Sequence, residues 1–180
     1  MRGERVEESD AATGKGQADF AQGLGLAQNH FARRFRPDGS SLACRNYVGT
    51  MASGDEEVLP EHTDSGGITL LHQRGNYDGL EIRLFDGSTT KIPVRSDALV
   101  VNIGNLLNRW TNGKLKATAH RVVSPWAQGQ SRQSIAMFHA PAVSQEIRPD
   151  PELVGPEGPR FEPVQMYDLM LPFWDRAAVA

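Results

Sequence analysis

From residue 42 to residue 139 the chain is cut by turn residues into about eight short runs, a pattern that suits an all-β sandwich or barrel. The first covers residues 42–48, a second leads into 61–64, and 68–73 follows with Ile68, Leu70 and His72 on one face. Residues 79–85 set Leu80, Ile82 and Leu84 against Glu81 and Arg83, and Asp86-Gly87 then marks a tight hairpin into 88–94, because glycine tolerates the positive φ of a primed turn. Residues 98–103 are apolar apart from Asn102, which predicts a strand buried on both faces. A short helical or irregular stretch at 105–109 leads to a second hairpin signal at Asn112-Gly113, and 114–123 and 132–139 complete the set.

The flanks read differently. Residues 1–19 are polar, carry both charge signs and are expected to form a disordered tail. In 20–41, Phe20, Leu24, Ala27, Phe31 and Phe35 fall at helical spacing, with Gly23 and Gly25 splitting the segment into two short helices before Pro37-Asp38-Gly39. Seven of the eleven prolines lie from Pro141 to Pro172, so 142–180 is expected to be a coil-rich extension with one short helix carrying Val164, Tyr167 and Leu171. A chain of 180 residues can bury a core without cross-links. Its net charge of -3 lacks the basic surface of a nucleic-acid binder. The single Cys44 excludes a disulfide framework or a multi-cysteine zinc module and fits a reducing compartment. No apolar run approaches the ~20 residues that span a bilayer. The expectation is a cytoplasmic monomer that binds a small molecule, with neither nucleic acid nor membrane as partner.

Side chains two apart on a strand share a face, so His62 and Asp64 aim at one point, as a metal would require. With five His and eleven Asp in the chain, His-x-Asp is expected by chance about 0.3 times, so position must add to the pair. His120, on a later run, supplies a third ligand. Two imidazoles and one carboxylate on one side of an ion form the facial set of non-haem Fe(II) oxygenases, although catalytic zinc takes similar ligands. Twelve residues on, Arg132 and Ser134 share a face and suit a carboxylate, which a guanidinium holds by paired charge-assisted hydrogen bonds. Gln133, Ile135, Met137 and His139 take the opposite face, which argues against His139 as a ligand.

The ordered set Asn46-Tyr47, HTDSGGITLL (62–71), Gly79-Leu80-Glu81, ALVVNIGNLLNRWTNG (98–113), His120-Arg121-Val122-Val123 and Arg132-Gln133-Ser134-Ile135 resembles the isopenicillin N synthase-like Fe(II)/2-oxoglutarate dioxygenases. The resemblance covers about residues 42–141 and implies a mainly β double-stranded β-helix, a cupin-like jelly roll with short flanking helices. It implies His62, Asp64 and His120 as Fe(II) ligands, with Arg132, Ser134 and the Tyr47 hydroxyl binding the distal carboxylate of 2-oxoglutarate. The implied reaction is hydroxylation or desaturation of a small organic molecule by O2, with 2-oxoglutarate converted to succinate and CO2.

Two local departures leave the ligands untouched: Asn105 stands where many relatives have Asp, and Tyr47-Val48-Gly49 replaces a Tyr-Pro-Pro stretch. Relatives also carry a long N-terminal half that this sequence largely lacks, so 20–41 reads as its helical remnant and the barrel is expected to have a less protected edge. Two alternatives follow. One is a non-catalytic remnant serving as a metal-binding or interaction module; the other is a related Fe(II) oxidase in which Arg132 and Ser134 hold a substrate carboxylate.

Overall fold

The computed structural model describes residues 2–49, 57–123, 127 and 129–179. The alternating runs become eight strands: β1 (Ser41–Val48), β2 (Glu57–His62), β3 (Ile68–Gly75), β4 (Leu80–Arg83), β5 (Thr89–Ile92), β6 (Leu99–Ile103), β7 (His120–Val123) and β8 (Ser131–His139). They pair antiparallel in two four-stranded sheets, β1-β8-β3-β6 and β2-β7-β4-β5. The chain passes repeatedly between the sheets, which makes the barrel the jelly roll that the resemblance implies. Gly87, at φ +85°, closes the β4–β5 hairpin where Asp86-Gly87 predicts it.

Strand register gives the larger sheet, β1-β8-β3-β6 with its longer strands, two distinct faces. Arg132, Ser134, Ala136 and Phe138 of β8 lie level with Gly75, Gln73, Leu71 and Thr69 of β3 and turn toward the barrel interior. Ile68 and Leu70 turn outward and join Ala21, Phe31, Phe35, Leu106, Leu107, Trp110, Ile147, Leu153 and Met166 in the main apolar core. This core therefore lies between the sheet and the flanking helices: α1 (Arg2–Gly23), α2 (Asn105–Trp110) and α3 (Met166–Val179). Asp150 ties the flanks together, accepting from Arg34 at 2.5 Å and hydrogen-bonding His30 at 2.5 Å.

Several expectations are corrected. The segment expected to be a disordered tail is most of α1, a helix free of proline in which Thr13, Gln17 and Ala21 form a narrow buried stripe at four-residue spacing. Two of those three residues are polar, so composition points to a tail. Beyond Gly25, at φ +77°, residues 28–35 form turns rather than a second helix. Val164 pairs with Ile147 between the two-residue strands β9 (Glu146–Ile147) and β10 (Val164–Gln165), and α3, at fourteen residues, is longer than expected. Asn112 and Gly113 do adopt positive φ, 51° and 83°, but they follow α2 and join no hairpin; β7 starts only at His120. The strand expected to be buried on both faces is β6, an edge of the larger sheet, and Leu99 and Val101 are 47% and 51% exposed. With Leu42 and Ile135 they leave part of the sheet's outer face bare. Among the described residues no helix is long and apolar enough to cross a membrane.

Candidate active site

His62 ends β2, His120 begins β7, and the two are cross-strand partners whose rings lie 4.3 Å apart. Each imidazole is oriented by a backbone carbonyl two residues earlier: Nδ1 of His62 meets the Pro60 oxygen at 2.8 Å and Nδ1 of His120 meets the Thr118 oxygen at 3.0 Å. A carbonyl can only accept, so Nδ1 donates, and in the neutral imidazole the lone pair resides on Nε2. The Nε2 atoms of His62 and His120 lie 3.9 and 3.7 Å from the same oxygen, Oδ1 of Asp64. The three ligand atoms fall within 4.8 Å of one another, with Asp64 buried and both imidazoles half-buried. Three electron-pair donors turned toward one point repel unless a cation sits between them, so this set fits a divalent metal.

Asp64 is fixed from several sides. Its backbone carbonyl accepts from Asn105 N at 2.7 Å, and that of Gly66 accepts from Leu106 N at 3.1 Å, which seats the turn after β2 on the start of α2. Gly104 allows this approach, since a Cβ there would lie 2.2 Å from the Gly66 oxygen. Asn105, where many relatives have Asp, donates its side-chain amide to Thr63 Oγ1 at 2.9 Å. The second carboxylate oxygen of Asp64, Oδ2, accepts from Thr69 Oγ1 and from Asn102 Nδ2, each at 2.7 Å.

On the larger sheet, Arg132 and Ser134 are both buried and share the inner face. Arg132 donates from Nε to Gln73 Oε1 at 2.7 Å, and its guanidinium carbon lies 5.1 Å from the ring of Tyr47, its cross-strand partner on β1. Burial holds the guanidinium pKa below its ordinary value, against the opposing pull of the Tyr47 hydroxyl. Among the described residues Nη1 of Arg132 has no hydrogen-bond partner although it is buried. An unpaired buried donor costs about 1–3 kcal/mol, and a carboxylate arriving here would relieve it. The cavity beside His62 and Asp64 is lined by Thr63, Phe138 and Ala140, with Met170 reaching it from α3.

All six residues singled out by sequence thus fall into two clusters. His139 stays apart, stacked on Phe35 with ring centroids 4.1 Å apart and bonded to Ser40. His72 meets the Ser96 carbonyl and Trp110 lies in the core; Trp126, a candidate for the substrate mouth, lies outside the described residues. Sequence reasoning misses Thr69, Gln73, Asn102 and Met170. The available signals are polar residues on the inner face of β3 and one polar residue in the apolar run of β6. A further group, His30, Asp150 and Glu152, has metal-compatible spacing, but Arg34 already pairs with its buried carboxylate.

The sequence profile described as the 2OG-Fe(II) oxygenase superfamily matches residues 37–141. The chain belongs to this superfamily. This chain is 44% identical over 99 residues to 1-aminocyclopropane-1-carboxylate oxidase 4 of Arabidopsis thaliana, covering 55% of this chain and 30% of that protein. Among solved structures, JOX2 in complex with 2OG, Fe and JA is 27% identical, with a TM-score of 0.82 over 93% of this chain and 50% of its own. The dioxygenase for auxin oxidation 1 of Arabidopsis thaliana, in its binary complex with 2-oxoglutarate, is 26% identical, with a TM-score of 0.75 over 87% of this chain and 57% of its own. This chain therefore spans about half the length of these solved relatives and under a third of that curated one.

Proposed function

We propose that the protein is an Fe(II)- and 2-oxoglutarate-dependent oxygenase that oxidises a small organic molecule. The observation that carries this reading is the buried, unpaired Nη1 of Arg132, an anion site inside the barrel that also turns two imidazole Nε2 atoms and one carboxylate oxygen to a single point. His62, Asp64 and His120 would hold the iron, and Arg132 and Ser134, beside Tyr47, would hold the distal carboxylate of 2-oxoglutarate. When bound, iron, 2-oxoglutarate and O2 supply oxidising power sufficient for an unactivated C–H bond, with succinate and CO2 as co-products. The protein orients these groups: the carbonyls of Pro60 and Thr118 keep the imidazoles in the ligating tautomer, and Gln73 aims the guanidinium. Phe138, Ala140 and Met170 form a largely apolar wall beside the metal ligands and limit water there.

Anaerobic titration tests the reading. A visible charge-transfer band is expected only when Fe(II) and 2-oxoglutarate are both present, and its absence overturns the assignment. The similarity to an oxidase named for a carboxylate-bearing compound favours one second reading, in which Arg132 and Ser134 hold the carboxylate of the substrate. O2 consumption with 1-aminocyclopropane-1-carboxylate and an added two-electron reductant, in the absence of 2-oxoglutarate and without succinate, would select it.

A further inference from the structure

We propose that Thr69 and Asn102 are positioning residues that confine Asp64 to metal ligation through a single oxygen. The inference rests on the metal-site reading above. Asp64 is buried, and its two carboxylate oxygens have different surroundings. Oδ1 faces the Nε2 atoms of His62 and His120 at 3.9 and 3.7 Å, whereas Oδ2 accepts two hydrogen bonds of 2.7 Å, from Thr69 Oγ1 and Asn102 Nδ2. An sp2 oxygen offers two in-plane lone pairs, and two donors occupy both. Rotating Asp64 to offer both oxygens to an ion would break both bonds in a buried setting.

The donors come from the other sheet. Thr69 on β3 and Asn102 on β6 are cross-strand partners, so the register of the larger sheet places a hydroxyl and an amide side by side under a carboxylate carried by the turn after β2. This sheet-to-sheet link fixes the carboxylate plane. It also leaves more of the ion's surface to exogenous ligands than two-oxygen ligation would.

The test uses Co(II), an air-stable stand-in for Fe(II), titrated into the intact chain and followed by its visible d–d absorption. Thr69→Val and Asn102→Leu are nearly isosteric and remove one donor each, while Thr69→Ser keeps the hydroxyl. Each loss is expected to weaken Co(II) binding about 10- to 100-fold and to shift the d–d bands, with Thr69→Ser restoring both. Circular dichroism checks folding; if Thr69→Val does not fold, Asn102→Leu decides. Native-like affinity and spectrum in the donor-deleted variants overturn the inference, as does weaker binding with an unchanged spectrum. If the native protein itself binds no Co(II), the metal-site reading fails with it.

Discussion

At the proposed metal end of the site the protein supplies a partner for the far side of every candidate ligand: carbonyls for the two Nδ1 atoms, a hydroxyl and an amide for Oδ2. At the anchor end Arg132 has Gln73 and Tyr47 as neighbours, yet Nη1 has no described partner. The first region presents three converging electron pairs and needs a cation. The second presents a surplus buried donor and needs an anion. Each region is preorganised toward a ligand of opposite sign.

The largest effect should come from removing a metal donor. His120→Ala takes away one of the three candidate ligands and leaves His62 and Asp64, at and just after the end of β2, without the donor from β7. Fe(II) affinity is expected to fall by more than about 100-fold, beyond what loss of an outer partner typically costs. Anaerobic calorimetry checks this, and succinate formation should vanish with it. A smaller loss would mean that the three donors do not act as one site.

Arg132→Ala should have the next largest effect and should fall on the other end alone. A hydrogen bond to a charged group is worth about 1.5–3 kcal/mol, so 2-oxoglutarate affinity is expected to fall roughly 10- to 100-fold while Co(II) affinity stays native. Arg132→Lys keeps the charge but loses the fork geometry, and should recover only part of the loss. Equal damage to metal and 2-oxoglutarate binding would erase the distinction between the two ends.

How much of this is legible in the sequence depends on how far apart along the chain the causes lie. The strands follow from short runs bounded by turn residues, several with period-two alternation, and the two clusters follow from the short spacings His62–Asp64 and Arg132–Ser134 and the order in which His120 falls between them. The supporting residues do not. Asn102 meets Asp64 across 38 residues and Gln73 meets Arg132 across 59, so each matters only once strand register is known. The burial of β6 departs from expectation because an apolar run reports what a strand could bury; its place at the sheet edge decides what it does bury. α1 escapes for the opposite reason, since two of the three residues of its buried stripe, Thr13 and Gln17, are polar.

The smallest effect expected, and the one that bears most closely on the contrast, is at Gln73. Its Oε1 takes Arg132 Nε at 2.7 Å, so the guanidinium is held on one edge while Nη1 stays open for a ligand. In Gln73→Leu the charge and the open Nη1 both persist, but the orientation is lost and Nε becomes a second unpaired buried donor. 2-Oxoglutarate affinity should then fall only about three- to tenfold, equivalent to about 0.7–1.4 kcal/mol, and metal affinity should not change. Gln73→Glu should do more harm, because a carboxylate beside Arg132 competes with the ligand for the same cation. Calorimetry with 2-oxoglutarate on both variants separates orientation from charge. If Gln73→Leu binds 2-oxoglutarate as the native protein does, Arg132 owes its position to Tyr47 and packing alone, and only the metal end is held by dedicated hydrogen-bond partners.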